Sequence, residues 1–119
     1  MKVYGIKNCD TVKKARKFLE EAGVDYVFHD YKKDGVDAGK LAAFLEEFGW
    51  EQIVNRRGTT WRKLDDEIKD SVRDNASALE VLQENPSAIK RPIVEAEGKN
   101  FVGFDPVAWE TALEMGELK

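Results

Sequence analysis

Hydrophobic and polar positions in the first quarter of the chain follow two different periods. Residues 3–6 form a short, mostly apolar run that is typical of a strand, and from Val12 onward apolar residues recur at helical spacing. Gly23 follows this pattern as a plausible helix end. Residues 25–31 are rich in β-branched and aromatic side chains and predict a second strand. The order strand, helix, strand predicts a parallel βαβ unit with a right-handed crossover.

The middle of the chain, about residues 37–89, changes to a helical pattern. Four apolar residues share one helical face: Leu41, Phe44, Leu45 and Phe48. A later helix around Leu82 is expected to end near Asn85 and Pro86. Between these two helices, residues 55–64 predict a loop that enters a short helix at Thr59 or Thr60, and residues 65–75 predict another helical piece. This part of the chain is therefore predicted to form a helical subdomain.

The last part of the chain predicts an antiparallel hairpin followed by a helix. Two strand patterns, 93–96 and 99–104, flank a tight Glu-Gly turn. Asp105 can cap the last helix, and Pro106 suits its first position. Its apolar side is expected to consist of Val107, Ala108, Ala112, Leu113 and Met115. The whole order resembles the thioredoxin fold: an α/β domain over residues 1–119, with a four-stranded mixed sheet and a helical insertion between its βαβ and ββα halves.

Length, charge and apolar runs restrict the class of protein. A chain of 119 residues is long enough for one domain with its own core. The net charge of −4 argues against direct nucleic-acid binding through broad phosphate neutralisation. The longest apolar run, residues 41–45, is too short for a membrane span or a signal peptide. We therefore expect a cytoplasmic protein, most simply a monomer, that does not associate with membranes.

Cys9 is the only cysteine, and it lies where the first strand pattern gives way to the first helix pattern. A buried cysteine is ordinarily a small hydrophobic residue, and this interpretation stays open beside a chemical one. At a helix N-terminus, unpaired N–H groups and the helix dipole lower the pKa of a thiol. Nearby lysines add to this effect, whereas Asp10 opposes it. The position therefore favours a reactive thiol with a moderately lowered pKa.

Metal and nucleotide sites find no support in the sequence. His29 is the only histidine, and no cysteine or second histidine stands at metal-ligand spacing from it, so packing or solvent exposure is the expected role. The glycines are scattered and form neither a P-loop nor a dinucleotide-binding motif. We therefore expect no metal and no nucleotide cofactor.

Three motifs in order resemble the ArsC/Spx family of thioredoxin-like proteins, particularly its YffB-like branch. They are YGIKNCDTVKKA at residues 4–15, NRRGTTWRKL at residues 55–64 and IKRPIV at residues 89–94. The resemblance implies that Cys9 is a redox nucleophile, that Arg91 binds an anion facing it, and that Pro92 is the cis-proline beside the site. It also implies a second anion-contacting arginine, for which both Arg56 and Arg57 qualify.

Departures from the family pattern suggest how such a cysteine would be recycled. Val12 stands where the regulatory branch has its second cysteine, so an internal disulfide switch is excluded. An oxidised Cys9 would need an external thiol, for which glutathione is the natural cytosolic co-substrate. We therefore expect a glutathione-dependent thiol reductase that acts on a thiol or disulfide substrate through a mixed disulfide. Asn8, the Thr11 hydroxyl and the N–H groups of Thr11 and Val12 are the expected supporting contacts.

Two other functions are compatible with the resemblance. One is an arsenate reductase, which would use the same thiol on an oxyanion. Family arsenate reductases place a further arginine in the strand after the hairpin turn, whereas this chain has no arginine after Arg91, so arsenate should be a poor substrate. The other is a non-catalytic Spx-like interaction module, for which RNA polymerase is the implied partner.

Overall fold

The computed structural model describes all residues 1–119, which form four strands and eight helices. In chain order these are β1 (Lys2–Gly5), α1 (Asp10–Glu21), β2 (Val27–Asp30), α2 (Tyr31–Asp34), α3 (Ala38–Phe48), α4 (Trp50–Ile53), α5 (Thr59–Lys63), α6 (Asp66–Ser71), α7 (Asn75–Glu84), β3 (Ile93–Glu95), β4 (Asn100–Val102) and α8 (Pro106–Glu114). A 3₁₀ turn, Pro86–Ala88, precedes β3. None of the helices combines the length and the hydrophobicity needed to span a bilayer.

The chain divides into two compact units. The first consists of residues 1–34 and 91–119 and contains all four strands. The second consists of residues 35–90 and is helical. That residues 1–119 form one domain stays a prediction.

The four strands of the first unit form one mixed sheet in the order β2-β1-β3-β4. β1 runs parallel to β2 and antiparallel to β3, and β4 is antiparallel to β3. Tyr4 of β1 lies opposite His29 on one side and Ile93 on the other. This topology confirms the predicted α/β, thioredoxin-like arrangement with its helical insertion between the two halves of the sheet.

The second strand is shorter than predicted, because a turn begins at its last residue. β2 ends at Asp30, and Tyr31 starts the single-turn helix α2. Asp30 Oδ1 accepts a hydrogen bond from the N–H of Lys32 at 3.0 Å, and Asp34 Oδ2 accepts one from the N–H of Asp30 at 3.1 Å. These local bonds offer the backbone an alternative to the sheet, so the predicted strand boundary at Tyr31 is wrong.

The core of the first unit lies where α1 and α8 pack on the sheet. Seven buried residues form it: Val3, Ala15, Leu19, Val94, Trp109, Ala112 and Leu118. The Trp109 ring is 1% exposed and meets the Phe104 ring edge-on, with centroids 4.8 Å apart. Trp109 therefore packs α8 against the sheet.

The predicted apolar side of α8 needs a correction at both ends. Asp105 caps the helix as expected, because its Oδ1 accepts hydrogen bonds from the N–H groups of Val107 and Ala108. Val107 and Met115, however, are 75% and 68% exposed, and Ala108 is exposed as well. At about 100° per residue, Val107 lies roughly opposite Trp109, the residue that α8 buries most deeply. An apolar residue in the sequence of a helix need not lie on its buried face.

The second unit is built around the packing of α3 on α7. α3 buries Leu41, Phe44 and Leu45, and α7 buries Ala78 and Leu82. Both helices have side-chain caps: Asp37 accepts from the N–H of Lys40, and Asp74 forms a capping box with Ser77. The short helix predicted to begin at Thr59 or Thr60 begins at Thr59, and α7 ends at Glu84, near Asn85 and Pro86 as predicted.

Gly5, the last residue of β1, should not tolerate a larger side chain. A Cβ at this position would lie 2.9 Å from Cγ2 of Val12, a fully buried β-branched residue in the first turn of α1. We predict that Gly5→Ala lowers the free energy of unfolding by about 1–3 kcal/mol through overpacking, measured by urea denaturation. The same substitution should cost less in a Val12→Ala background.

Gly98→Ala is the matched control for this prediction. Nothing lies within 4 Å of a Cβ at Gly98, so its stability should change by less than about 0.5 kcal/mol. A Gly5→Ala variant as stable as the wild type would contradict the close approach of β1 and α1.

Candidate functional site

The sheet topology brings three chemically functional residues to one edge of the sheet. β1 and β2 are parallel and β3 is antiparallel to β1, so the carboxyl ends of β1 and β2 meet the beginning of β3. Cys9 follows β1, Tyr31 follows β2 and Arg91 precedes β3 by two residues. Open α/β sheets commonly bind ligands outside the carboxyl ends of their parallel strands, so this edge is the candidate site.

Cys9 is the N-cap residue of α1. Its backbone is extended, with φ −96° and ψ 125°, and its carbonyl accepts the first helical hydrogen bond from the N–H of Lys13 at 2.9 Å. The side chain is half-buried and makes no capping hydrogen bond in this conformation. The sulfur therefore lies at the positive end of the helix dipole and can still be reached by a reagent.

The surroundings of Cys9 favour its thiolate. Burial by itself raises the pKa of the thiol, but the N–H of Val12, the guanidinium of Arg91 and the N–H of Thr11 together outweigh it, so the pKa of Cys9 is lowered. The direction agrees with the sequence-based expectation. Among the cations that the sequence offered, Arg91, which the family resemblance places facing Cys9, is the one that lowers its pKa, and the lysines of α1 are not among the causes.

Arg91 acts electrostatically on both Cys9 and Tyr31, which lie at the same sheet edge. The peptide bond between Arg91 and Pro92 is cis, and Pro92 is buried. Tyr31 is only 4% exposed, and this burial, with Tyr4 beside it, raises the pKa of its phenol although Arg91 acts in the opposite direction. The Tyr31 hydroxyl is therefore protonated at neutral pH and available as a hydrogen-bond donor.

Tyr31 is a residue that the sequence analysis did not single out. It packs in an aromatic group with Tyr4 and His29, whose ring centroids lie 6.0 and 5.7 Å from its own. Tyr4 also donates a hydrogen bond to Oε1 of Glu95 at 3.3 Å, which ties the group to β3. His29 thus packs against aromatic rings, which is one of the two roles that the sequence left open. In the sequence Tyr31 stood only as the last residue of a predicted strand, and its place at the carboxyl end of that strand became informative once β2 was seen to run parallel to β1.

The other predicted site residues differ in their surroundings. Asn8 and the Thr11 side chain are exposed, while the side chain of Val12 is fully buried and only its N–H acts on the sulfur. Arg56 and Arg57 are exposed residues of the loop between α4 and α5 in the second unit. The Arg56 guanidinium lies 5.6 Å from the ring centroid of Trp50. A role for either arginine at the thiol stays a prediction.

Comparison with known proteins supports one family. The model of the ArsC family matches residues 4–112. The solved structure of the YFFB protein superposes with a TM-score of 0.88 at 49% identity, covering 94% of this chain and 97% of that one. An arsenate reductase (ArsC) related protein from Brucella melitensis is 52% identical, with a TM-score of 0.73 and coverage of 95% of this chain and 93% of its own.

Sequence relatives extend the comparison to regulators. A protein from Haemophilus influenzae is 49% identical over 110 residues, which are 92% of this chain and 96% of that protein. The global transcriptional regulator Spx of Enterococcus faecalis is 29% identical over 105 residues, or 87% of this chain and 78% of the regulator. The names of these relatives thus point to reductase chemistry on one side and transcriptional regulation on the other.

Removal of the Arg91 charge should lower the fraction of Cys9 that is thiolate at neutral pH. We predict that Arg91→Ala raises the pKa of Cys9, because it deletes a hydrogen-bond donor and a positive charge. The alkylation rate of Cys9, measured against pH, should therefore rise at a higher pH than in the wild type and be slower at neutral pH.

Lys90→Ala is the matched control, since it removes a positive charge from the preceding, exposed residue. Its alkylation profile should coincide with that of the wild type. An unchanged profile in a folded Arg91→Ala variant would contradict the contact between Arg91 and the sulfur.

Proposed function

Because the chain belongs to the ArsC family, we propose that it is a glutathione-dependent thiol reductase with Cys9 as its only nucleophile. The family and its arsenate reductase-related neighbours indicate an oxidoreductase. The observation that supports glutathione-dependent reduction by Cys9 is its half-buried thiol at the start of α1, which has a lowered pKa and lies beside Arg91. The chain contains no second cysteine. A lone thiolate of this kind needs a thiol co-substrate to complete a redox cycle.

In the first step, the Cys9 thiolate attacks the glutathione sulfur of a glutathionylated substrate. A disulfide forms between Cys9 and glutathione, the original disulfide breaks, and the substrate leaves as a thiolate that takes a proton from solvent. Before the attack, the N–H groups of Thr11 and Val12 and the guanidinium of Arg91 hold the negative charge on the sulfur.

In the second step, the thiolate of another glutathione attacks the glutathione sulfur of the mixed disulfide. Oxidised glutathione leaves, and the Cys9 thiolate is regenerated as the leaving group. The net exchange consumes one glutathione thiol, because the glutathionylated substrate and one glutathione give the substrate thiol and oxidised glutathione. A low thiol pKa makes Cys9 a good leaving group, which suits the absence of a resolving cysteine.

Contacts to glutathione complete the proposal. Arg91, with Arg56 or Arg57, would bind its carboxylates, Pro92 would lie beside its backbone, and Asn8 and Thr11 would supply polar contacts. Bidentate guanidinium–carboxylate pairs have the required geometry and strength. We place the reaction in the cytoplasm, with the chain acting as a monomer and without metal or nucleotide.

Arsenate reduction is the second candidate, favoured by the names of structural neighbours such as the arsenate reductase related protein of Brucella melitensis. The same thiolate and Arg91 could bind an oxyanion. The chain after Arg91 contains no arginine, and the ammonium group of Lys99 lies over the ring of Phe101, 5.4 Å from its centroid. The chain thus offers few bidentate donors to a small, highly charged oxyanion, whereas a peptide with two carboxylates can also use contacts along its length.

A non-catalytic interaction module is the third candidate, favoured by the relatives named as Spx. RNA polymerase is the partner that this function implies. Retention of purified polymerase by the immobilised chain, equal for the wild type and Cys9→Ser, would support it.

Oxidised glutathione should modify Cys9 alone. We predict one glutathione adduct per chain in intact-mass measurements at neutral pH, removed by reduced glutathione, because the thiolate is the attacking species. Cys9→Ser should give no adduct. If a folded wild-type chain stays unmodified after prolonged exposure, Cys9 is not the nucleophile and the proposed reaction is contradicted.

Arsenate should be a poorer substrate than a glutathionylated thiol. With one charge-assisted contact fewer, binding of a small oxyanion should weaken by about ten- to hundredfold. The measurement is turnover of both substrates by one preparation with glutathione and a recycling system. Efficient arsenate reduction with negligible deglutathionylation would reverse the order of the first two candidates.

A further inference from the structure

A second feature at the same sheet edge is a cavity of about 250 Å³ between α1 and the end of β2. It is lined by Lys7, Arg16, Phe28, Asp30, Lys33 and Asp34, all of which belong to the first unit. The volume is sufficient for the end of a small peptide but not for a large cofactor.

Three cations face this cavity without an ion-pair partner. No carboxylate oxygen lies within 4.0 Å of the charged nitrogens of Lys7, Arg16 or Lys33. The Arg16 guanidinium lies 4.1 Å from the ring centroid of Phe28, and its Nε donates to the Tyr26 hydroxyl at 2.9 Å. Arg16 is therefore held in place beside the cavity by an aromatic surface.

The two carboxylates of the cavity have partners in the backbone instead. Asp30 accepts from the N–H of Lys32, and Asp34 accepts from the N–H of Asp30. These bonds form the corner between β2 and α2 that carries Lys33. The cavity thus presents three cations and only two carboxylates, each of which already accepts a hydrogen bond.

The cavity lies within reach of a peptide attached to Cys9. Lys7 is two residues before Cys9, which places their Cα atoms at most about 7.6 Å apart. Arg16 is seven residues along α1 from the N-cap, a rise of about 10 Å. An extended tripeptide spans about the same length.

We propose that this cavity binds a terminal carboxylate of the thiol peptide whose sulfur reacts at Cys9, through Lys7, Arg16 and Lys33. The proposal rests on the proposed function and refines it: the cavity binds one of the two glutathione carboxylates, and Arg91, with Arg56 or Arg57, binds the other. The chemistry is the same thiol–disulfide exchange: the Cys9 thiolate attacks one sulfur of the peptide disulfide and forms a mixed disulfide with that peptide, the original disulfide breaks, and the other peptide leaves as a thiolate that takes a proton from solvent. The glycyl and the γ-glutamyl ends of glutathione both carry the required carboxylate.

The test compares charged and neutral disulfides as reagents for Cys9. The rate constant for mixed-disulfide formation is measured by intact mass with oxidised glutathione and with hydroxyethyl disulfide, which carries no charge. In the Lys7→Gln/Lys33→Gln variant, the rate with oxidised glutathione should fall about fivefold, as expected for two exposed ion pairs. The rate with hydroxyethyl disulfide should be unchanged.

Lys32→Gln is the matched control. Lys32 is an exposed residue of the same helix, next to Lys33 and outside the cavity lining. Its variant should react with both reagents at the wild-type rate. An equal loss in Lys32→Gln would overturn the proposal, because it would indicate a general effect of charge.

Shortened peptides identify which end of glutathione binds. An effect of the double substitution that persists with the disulfide of γ-glutamylcysteine and disappears with that of cysteinylglycine supports binding of the γ-glutamyl carboxylate; the reverse supports the glycyl carboxylate. A wild-type rate with oxidised glutathione in the double variant, or an equal loss with hydroxyethyl disulfide, overturns carboxylate binding in the cavity. Either result leaves the proposed reaction of Cys9 intact. Failure of every disulfide to modify wild-type Cys9 overturns the proposed function and this site together.

Discussion

The close approach of β1 to the first turn of α1 is the constraint on which the candidate site depends. Gly5 has no side chain, so the buried Val12 can pack directly against the strand, where a Cβ would lie 2.9 Å from it. This contact fixes the helix N-terminus at the carboxyl end of β1, and Cys9 lies at the N-cap between the two elements. A larger residue at the end of β1 would displace the N–H groups of Thr11 and Val12 as well as the core.

The balance between burial and charge at Cys9 follows from that placement. Burial disfavours the thiolate, and the effect of burial is the largest single influence on the pKa of this thiol. It is outweighed only because two backbone N–H groups and one guanidinium act on the same atom. The backbone donors come from α1 and the guanidinium from the start of β3, so the reactivity of Cys9 depends on the fold of the whole sheet and not on a local motif.

The sequence predicted the order of elements because each left a periodic or a capping signal. The change of period at Cys9 and the Asp105-Pro106 pair marked helix starts that the structure confirms. Residues brought together by sheet register left no such signal. Tyr31 was assigned to a strand, and Arg16 carried no signal that set it apart from the other polar residues of α1. Arg91 was placed beside the thiol only through the family resemblance.

Net charge is a poor guide to ligands in a chain of this kind. The protein carries −4 overall, yet Lys7, Arg16, Lys33 and Arg91 all belong to the unit that holds the thiol. At physiological ionic strength exposed charges are largely screened beyond about 8 Å, so an anion at the sheet edge responds to these nearby cations far more than to distant carboxylates. The acidic composition argues against broad binding of polyanions, while the local arrangement of cations suits a small ligand with one or two carboxylates.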